Sequence, residues 1–316
     1  MNYQIPILSL KKTSKHHKHD PCNPYNVKIT SKKLIKKKKI IIMKLTILGN
    51  GYTANFLSDK ALKEGFKVSI ISRNIIKPKN NIHYYNFSDQ NNVLKILETD
   101  NIISTIPPNE NESDPILSKY AESIRKNENK IIYLSATSVY GNGQVDEYTK
   151  PKPQNYRGDL RLQAEKSWSK ISQKCSIFRI AGIYGPQRNS MLNYIEGNNK
   201  VIVKDGYISN RIHVEDLASI IISFMTAKHN DKIINVSDQN LVSNIDAIRH
   251  VANKLKLKKP QIVEYSPDKV SEMARSFYET NRIVTSKVIG NHFKYIFKYP
   301  DYKKALLELT KQLIKV

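Results

Sequence analysis

Residues 49–54 read Gly-Asn-Gly-Tyr-Thr-Ala, a G-x-G-x-x-A run that follows one apolar segment and opens an amphipathic one. These residue types at this spacing suit a ligand carrying phosphate. Gly49 permits a tight turn, Gly51 lets the backbone approach a pyrophosphate, and Ala54 lets a helix pack closely on the strand behind it. Tyr52 and Thr53 stand at the helix head, where free N–H groups attract anions. The next apolar run ends in Ser72-Arg73-Asn74. An acid there would accept a hydrogen bond from a ribose 2′-hydroxyl, whereas a hydroxyl and a guanidinium suit a 2′-phosphate. The expected cofactor is therefore NADP(H) rather than NAD. A second chemical run, at 156–165, reads Tyr-Arg-Gly-Asp-Leu-Arg-Leu-Gln-Ala-Glu. A helix puts Arg157 and Arg161 on one face, where they can bind a phosphate or carboxylate, or pair with Asp159 or Glu165 as ordinary surface arginines.

Such residues need rigid elements to hold them. After Met43, short β-branched runs alternate with longer amphipathic stretches. Strands are expected at 44–49, 67–72, 82–87, 101–106, 130–136, 175–182 and 232–237. Helices are expected at 52–65, closed by Gly65, and at 92–97, capped by Asp89. Others follow over about 12 residues from Asp114, from Tyr156 to Ile171, at 212–227, at 243–255 with Ser243 and Asp246 as a capping box, and after Pro300. This alternation predicts an α/β fold, a Rossmann-like doubly wound parallel sheet with helices on both faces and a small C-terminal substrate cap. The cap falls mainly at 187–210 and 258–316 of an NAD(P)-binding domain spanning 43–316.

Composition bounds the alternatives. The chain has 316 residues, 40% apolar and 25% charged, as a globular protein does. No run of about 18 apolar residues occurs, so no membrane span is expected. Cys22 and Cys175 lie far apart and give no disulfide framework, which points to a cytoplasmic setting. The net charge is +24, and residues 1–42 carry eleven lysines against the single acid Asp20. This stretch is expected to be a disordered extension, or upstream sequence ahead of a start at Met43. Nucleic-acid binding through the lysines is a further reading. His16, His17 and His19 share the stretch, and no metal site is expected there.

Three more stretches follow in order, YLSATSVYG (133–141), FRIAGIYGP (178–186) and RIHVEDLA (211–218). With GNGYTA they resemble an extended short-chain dehydrogenase/reductase, the family of NAD-dependent epimerases and dehydratases, from Met43 to the C-terminus. The resemblance implies a bound nicotinamide dinucleotide and a small-molecule substrate between sheet and cap. It adds Asn86, where a family acid contacts adenine, and Thr105 to the cofactor-binding set. It also implies three catalytic groups: a Ser or Thr three residues before the valine of VYG, a Tyr, and a Lys four residues after that Tyr.

The sequence departs from this pattern at all three. Ala136 stands at the first position, and strand alternation places Ser138 on the same face as Ala136. Matching Glu165 to the acid common to this helix puts Arg157 and Arg161 at the Tyr and Lys positions. Tyr156 is then one residue off, about 100° around a helix, within reach of the pocket if it lies on the preceding loop. Arginine carries no proton at neutral pH, though Arg161 could hold ribose hydroxyls. Tyr140, Tyr148 and Tyr184 are further phenols near the cleft. Ser209 replaces the arginine that clamps a sugar-nucleotide diphosphate, so a UDP- or dTDP-sugar is not expected, although Arg211 could reach an anion another way. His213 and Asp216 read as structural and Trp168 as core. The expected function is an NADP(H)-dependent oxidoreductase or epimerase acting on a small, anionic carbonyl or hydroxyl compound. Its acid–base group is non-standard, Tyr156 or an ordered water, with Arg157, Arg161 and Ser138 around it. A catalytically silent dinucleotide sensor or scaffold remains the competing reading, and the oligomeric state stays open.

Overall fold

A computed structural model describes residues 43–314, apart from 75–77, 110–113, 198, 229 and 239. The readings for residues 1–42 lie outside the described residues. In chain order the first half contains β1 (Lys44–Leu48), α1 (Tyr52–Lys63), β2 (Lys67–Ser72), β3 (Ile82–Asn86), α2 (Gln90–Thr99), β4 (Asn101–Ser104), α3 (Leu117–Arg125), β5 (Ile131–Ala136), β6 (Gly143–Val145) and α4 (Tyr156–Ile171). The second half adds β7 (Cys175–Ile180), β8 (Gly182–Tyr184), α5 (Ser190–Glu196), β9 (Lys200–Val203), β10 (Arg211–His213), α6 (Val214–Thr226), β11 (Ile233–Val236), α7 (Asn244–Lys254), β12 (Gln261–Glu264), α8 (Glu272–Tyr278), β13 (Arg282–Val284) and α9 (Tyr302–Ile314).

Seven strands form one parallel sheet in the order β11-β7-β5-β4-β1-β2-β3. Its strands read as unbroken apolar runs because both faces are covered. Leu45, Ile47, Ile132 and Leu134 pack with α1 and α6, while Ile131, Tyr133 and Ile177 pack with α3 and α4 on the other side. A separate core joins α5, α7 and α9. Three two-stranded parallel ladders, β8–β10, β9–β12 and β6–β13, fasten the later chain to earlier segments. The last ladder returns residues 282–284 to the loop that follows β5.

Most expected boundaries agree. Gly65 takes φ +81° just after α1, Asp89 caps α2 through Asn92 N–H, and Ser243 caps α7 by accepting from Asp246 N–H at 3.2 Å. Two differ. Asp114 precedes α3, which begins at Leu117, and accepts from Ile116 and Leu117 N–H at 3.0 Å each. The 212–227 stretch is strand to His213 before it becomes α6.

One buried cluster holds α4 on the sheet. Glu165 and Arg179 have side chains 4% and 5% exposed and meet at 2.7 Å. Ser135 donates to the same carboxylate at 2.6 Å, and Arg179 donates on to Tyr140 Oη at 2.8 Å. Tyr140 donates to Asn235 Oδ1 at 2.9 Å, which carries the network into β11. Truncating one partner leaves a charge buried and unpaired. Glu165→Ala is therefore expected to destabilise the fold by about 3–5 kcal/mol, read as a lowered urea midpoint at unchanged slope. A loss under about 1 kcal/mol would show that α4 does not depend on this pair.

Candidate functional site

The strand order reverses between β1 and β4, and in open parallel sheets ligands bind outside the carboxyl ends at such a point. Gly49 ends β1 there with φ +101°, and a Cβ on it would lie 2.6 Å from Thr105 Oγ1. Thr105 secures the same turn by donating its amide and hydroxyl to the Leu48 carbonyl, at 3.0 and 2.8 Å. Gly51 is the N-cap of α1 and offers no side chain to its N–H groups. A Cβ placed on Gly51 meets nothing within 4 Å. The helix head therefore presents open space beside Tyr52 and Thr53, while Ala54 is fully buried against the sheet. This is a cradle that a pyrophosphate can fill.

The second half of the cofactor set lies at the ends of β2 and β3. Ser72 Oγ donates to the Asn74 carbonyl at 2.6 Å, which curls the chain so that Arg73 is exposed. Asn86 donates to the Arg73 carbonyl at 3.2 Å and ties the two strand ends together. The structure thus gathers Gly49, Gly51, Tyr52, Thr53, Ala54 and Thr105 at one turn, and Ser72, Arg73, Asn74 and Asn86 at a neighbouring edge.

The expected catalytic residues are placed differently. Strand geometry stops at Ala136, and Thr137–Val139 form a 3₁₀ turn. The alternation that would put Ser138 on the face of Ala136 therefore does not continue. Tyr156 is the first residue of α4 rather than part of the preceding loop, and it is 55% exposed. Asn155 caps this helix by accepting from Gly158 N–H at 3.0 Å. Gly158 lets α4 press against the 3₁₀ turn, since a Cβ there would lie 2.5 Å from the Ser138 carbonyl oxygen. The contact is made by Gly158 and the Ser138 backbone, while Tyr156 and Arg157 lie on the exposed side of the first turn of α4. Arg157 is exposed. Arg161 points inward, donating to the Leu134 carbonyl at 3.0 Å, with its charge felt by Tyr133 and Asp114. Glu165 is not its partner, because Arg179 and Ser135 occupy that carboxylate.

The other phenols divide by surroundings. Tyr140 belongs to the buried cluster, Tyr148 is 72% exposed under Lys287, and Tyr184 lies in the core of the later helices. Trp168 is core, stacked on Tyr133 and donating to Asp114 at 2.6 Å. His213 Nδ1 accepts from Glu215 N–H at 3.2 Å and caps α6. Asp216 accepts from Tyr295 Oη, Lys298 N–H and Tyr299 N–H, pinning the segment before α9.

The sequence reading missed Arg282. Through the β6–β13 ladder it reaches the 3₁₀ turn, donating to the Thr137 carbonyl and to Thr280 Oγ1. Burial holds its guanidinium below the ordinary value. A short Arg-Ile-Val run in an irregular stretch was the only signal for it. Two arginines, Arg161 and Arg282, thus donate to carbonyls at the end of β5. A hollow of about 700 Å³ also exists, lined by Asn101, Lys130, Ile131 and Ser176. It lies at the amino ends of the strands, away from this site.

Comparison with known proteins follows the same outline. A family model described as the RmlD substrate binding domain matches residues 116–314. The chain belongs to this family. A functionally unknown conserved protein from Silicibacter pomeroyi is 30% identical to this RmlD-type chain, covering 85% of it and 99% of itself, with a TM-score of 0.76. A dTDP-glucose 4,6-dehydratase from Bacillus anthracis, solved in complex with NAD, is 16% identical over 86% and 97% of the two chains, with a TM-score of 0.67. A human epimerase family protein solved with NADPH is 15% identical over 85% and 99%, with a TM-score of 0.65. The last two show that the fold is that of the epimerases and dehydratases. No curated protein matches the chain.

Two outcomes are expected from this geometry. Gly49→Ala, forced into a left-handed backbone against Thr105, should lose more than about 1 kcal/mol of stability, while Gly51→Ala should lose only a few tenths. Equal losses in thermal unfolding would contradict the open cradle. The second concerns pH. Burial lowers His213 to about 4 and raises Asp238 to about 7. The depressed histidine adds stability above its unfolded value near 6.5, lost as pH falls towards 4. The raised carboxyl adds stability at low pH, lost as pH rises from about 4 towards 7. The two oppose each other between pH 4 and 6.5, so Asp238→Asn should make stability climb more steeply with pH in that window. A variant profile parallel to the parent's would contradict the assignment.

Proposed function

We propose that the protein is an NADP(H)-dependent oxidoreductase acting on a small anionic carbonyl or hydroxyl compound. The open cradle at Gly51 carries this reading, with the family membership beside it. When bound, the cofactor supplies or accepts a hydride. The head of α1 holds the pyrophosphate with backbone N–H groups, and Thr105 keeps the turn below it in shape. Ser72, Arg73 and Asn74 form the turn that would receive the 2′-phosphate, with the Arg73 guanidinium supplying charge-assisted hydrogen bonds, and Asn86, tied to that turn, would stand on the adenine side. The substrate lies between the end of β5 and the cap, residues 187–210 and 258–316.

No Tyr-x-x-x-Lys pair stands at the reacting end, so oxyanion charge and proton transfer are handled separately. The guanidinium of Arg157, at the head of α4, stabilises negative charge on the substrate oxygen. The proton comes from Tyr156 or from water at the same mouth. Arg161 keeps the end of β5 in place rather than moving a proton. One observation favours the silent-sensor reading instead, because Arg161 is committed to a backbone carbonyl where the family's lysine would hold the ribose.

Titration calorimetry separates these. NADPH is expected to bind at least tenfold more tightly than NADH, and Arg73→Ser should remove most of that preference. Gly51→Val should abolish binding of both while the protein stays folded. Tighter binding of NADH than NADPH would sink the role of Arg73. A panel of oxo-acids with NADPH tests chemistry, and Tyr156→Phe should cut turnover by about 10²-fold or more if the phenol carries the proton. Tight NADPH binding with no turnover on the panel would favour the sensor.

A further inference from the structure

The hollow of about 700 Å³ at the amino ends of the strands carries groups that the dinucleotide cradle does not use. Three neighbouring strands, β5, β7 and β11, each begin just after a lysine: Lys130, Lys174 and Lys232. The backbone carbonyl of each lysine opens the ladder to the next strand. These carbonyls accept from Ile102, Ile131 and Ile177 N–H at 2.9, 3.2 and 2.8 Å. The three side chains therefore start side by side along one edge, on strands about 4.8 Å apart. All three line the hollow.

Their ammonium groups are held in place by carbonyls. Lys130 Nζ donates to the Phe224 carbonyl at 3.1 Å and to the Ala227 carbonyl, at the end of α6. Lys174 Nζ donates to the Glu128 carbonyl, beyond α3, and to the Glu128 carboxylate at 2.9 Å. Lys232 Nζ donates to the Gln173 carbonyl, beyond α4. Cations are favoured at such helix ends, which accounts for these bonds. It does not account for the charge that is left. An ammonium has three donors, so each of the three keeps at least one. Among the described residues Glu128 is the one acid in the wall, and it pairs with Lys174. No described carboxylate forms an ion pair with Lys130 or Lys232; Asp231, beside Lys232 in the chain, faces His292 at 3.1 Å. Lys130 is half-buried, and burial holds its ammonium below the ordinary value, a cost that a bound anion offsets. No described aromatic residue lines the hollow, so charge rather than stacking selects its ligand.

We propose that this hollow is a second anion site, at the edge of the sheet opposite the dinucleotide cradle, and that it takes a small oligophosphate. Ammonium groups are point charges suited to phosphoryl oxygens, whereas carboxylates are matched better by the planar fork of arginine. Three ammonium groups against one carboxylate leave a surplus that a compact, multiply charged anion neutralises. The space is that of a small-ligand site. The site stands apart from the proposed reaction and does not depend on it.

Calorimetry on the full chain tests this, with tripolyphosphate, orthophosphate and citrate as probes. Tripolyphosphate is expected to bind about tenfold more tightly than either of the others. Lys130→Met, which keeps the stem and removes the charge, should weaken that binding about tenfold. Lys232→Ser, at an exposed position, should weaken it several-fold and carries the test if the Lys130 variant fails to fold. Lys44→Ser and Lys67→Ser change the same edge on β1 and β2, outside the hollow, and should leave binding as it is. An equal loss in these two would show diffuse surface charge and overturn the proposal. Binding that is absent in the parent protein, or unchanged in both hollow variants, overturns it as well. Gly51→Val should still bind tripolyphosphate, and a loss there would place the anion in the dinucleotide cradle and sink the second site. Citrate binding as tightly as tripolyphosphate overturns the assignment to phosphate.

Discussion

The placement of the whole site depends on one buried ion pair, Glu165 with Arg179. A carboxylate and a guanidinium sealed this deeply must satisfy each other, because neither can reach water. Glu165 comes from α4 and Arg179 from β7, while Ser135 on β5 completes the carboxylate's partners. The rotation of α4 about its axis is therefore fixed. With Glu165 facing the sheet, Arg161 falls beside the end of β5, and Tyr156 and Arg157 are left at the outer mouth. The pair also explains why neither α4 arginine is neutralised by the acid eight or four residues on.

That fixed helix gives meaning to the altered residues around it. In the proposed register, the methyl of Ala136 and the guanidinium groups of Arg157 and Arg161 take the places of a hydroxyl, a phenol and an ammonium. A guanidinium stays charged at any ordinary pH. The region can therefore stabilise negative charge and shape the backbone, but it cannot pass a proton through its arginines. Arg282, delivered by the β6–β13 ladder, repeats the pattern from the cap side by donating to the Thr137 carbonyl. The dinucleotide cradle, by contrast, keeps what it needs, a left-handed Gly49, an unobstructed Gly51 and a short Ala54.

Much of this was legible in the sequence because local rules govern it. Apolar runs bounded by glycine gave the parallel strands, and side-chain caps at Asp89 and Ser243 gave helix starts. The partner of Glu165 was not legible: the sequence offered Arg157 and Arg161 on the same helix, whereas the structure brings Arg179 from β7, a contact that no helical spacing encodes. The turn after β5 was not legible. Strand alternation predicts the face of Ser138 only while the strand continues, and here the chain tightens into a 3₁₀ turn that Gly158 allows α4 to approach. Arg282 was missed for a related reason. Its contact depends on a ladder between segments about 140 residues apart, a distance at which no periodicity speaks.

A crystal structure with NADPH bound tests the central claim most directly, that the nucleotide pocket survives while arginines replace the proton-carrying pair. The account predicts the pyrophosphate on the N–H groups beside Gly51, the 2′-phosphate at Ser72–Asn74, and Tyr156 as the phenol nearest the nicotinamide, with no lysine at the ribose. A dinucleotide bound elsewhere, or a lysine found on the ribose hydroxyls beside a second phenol, would contradict it.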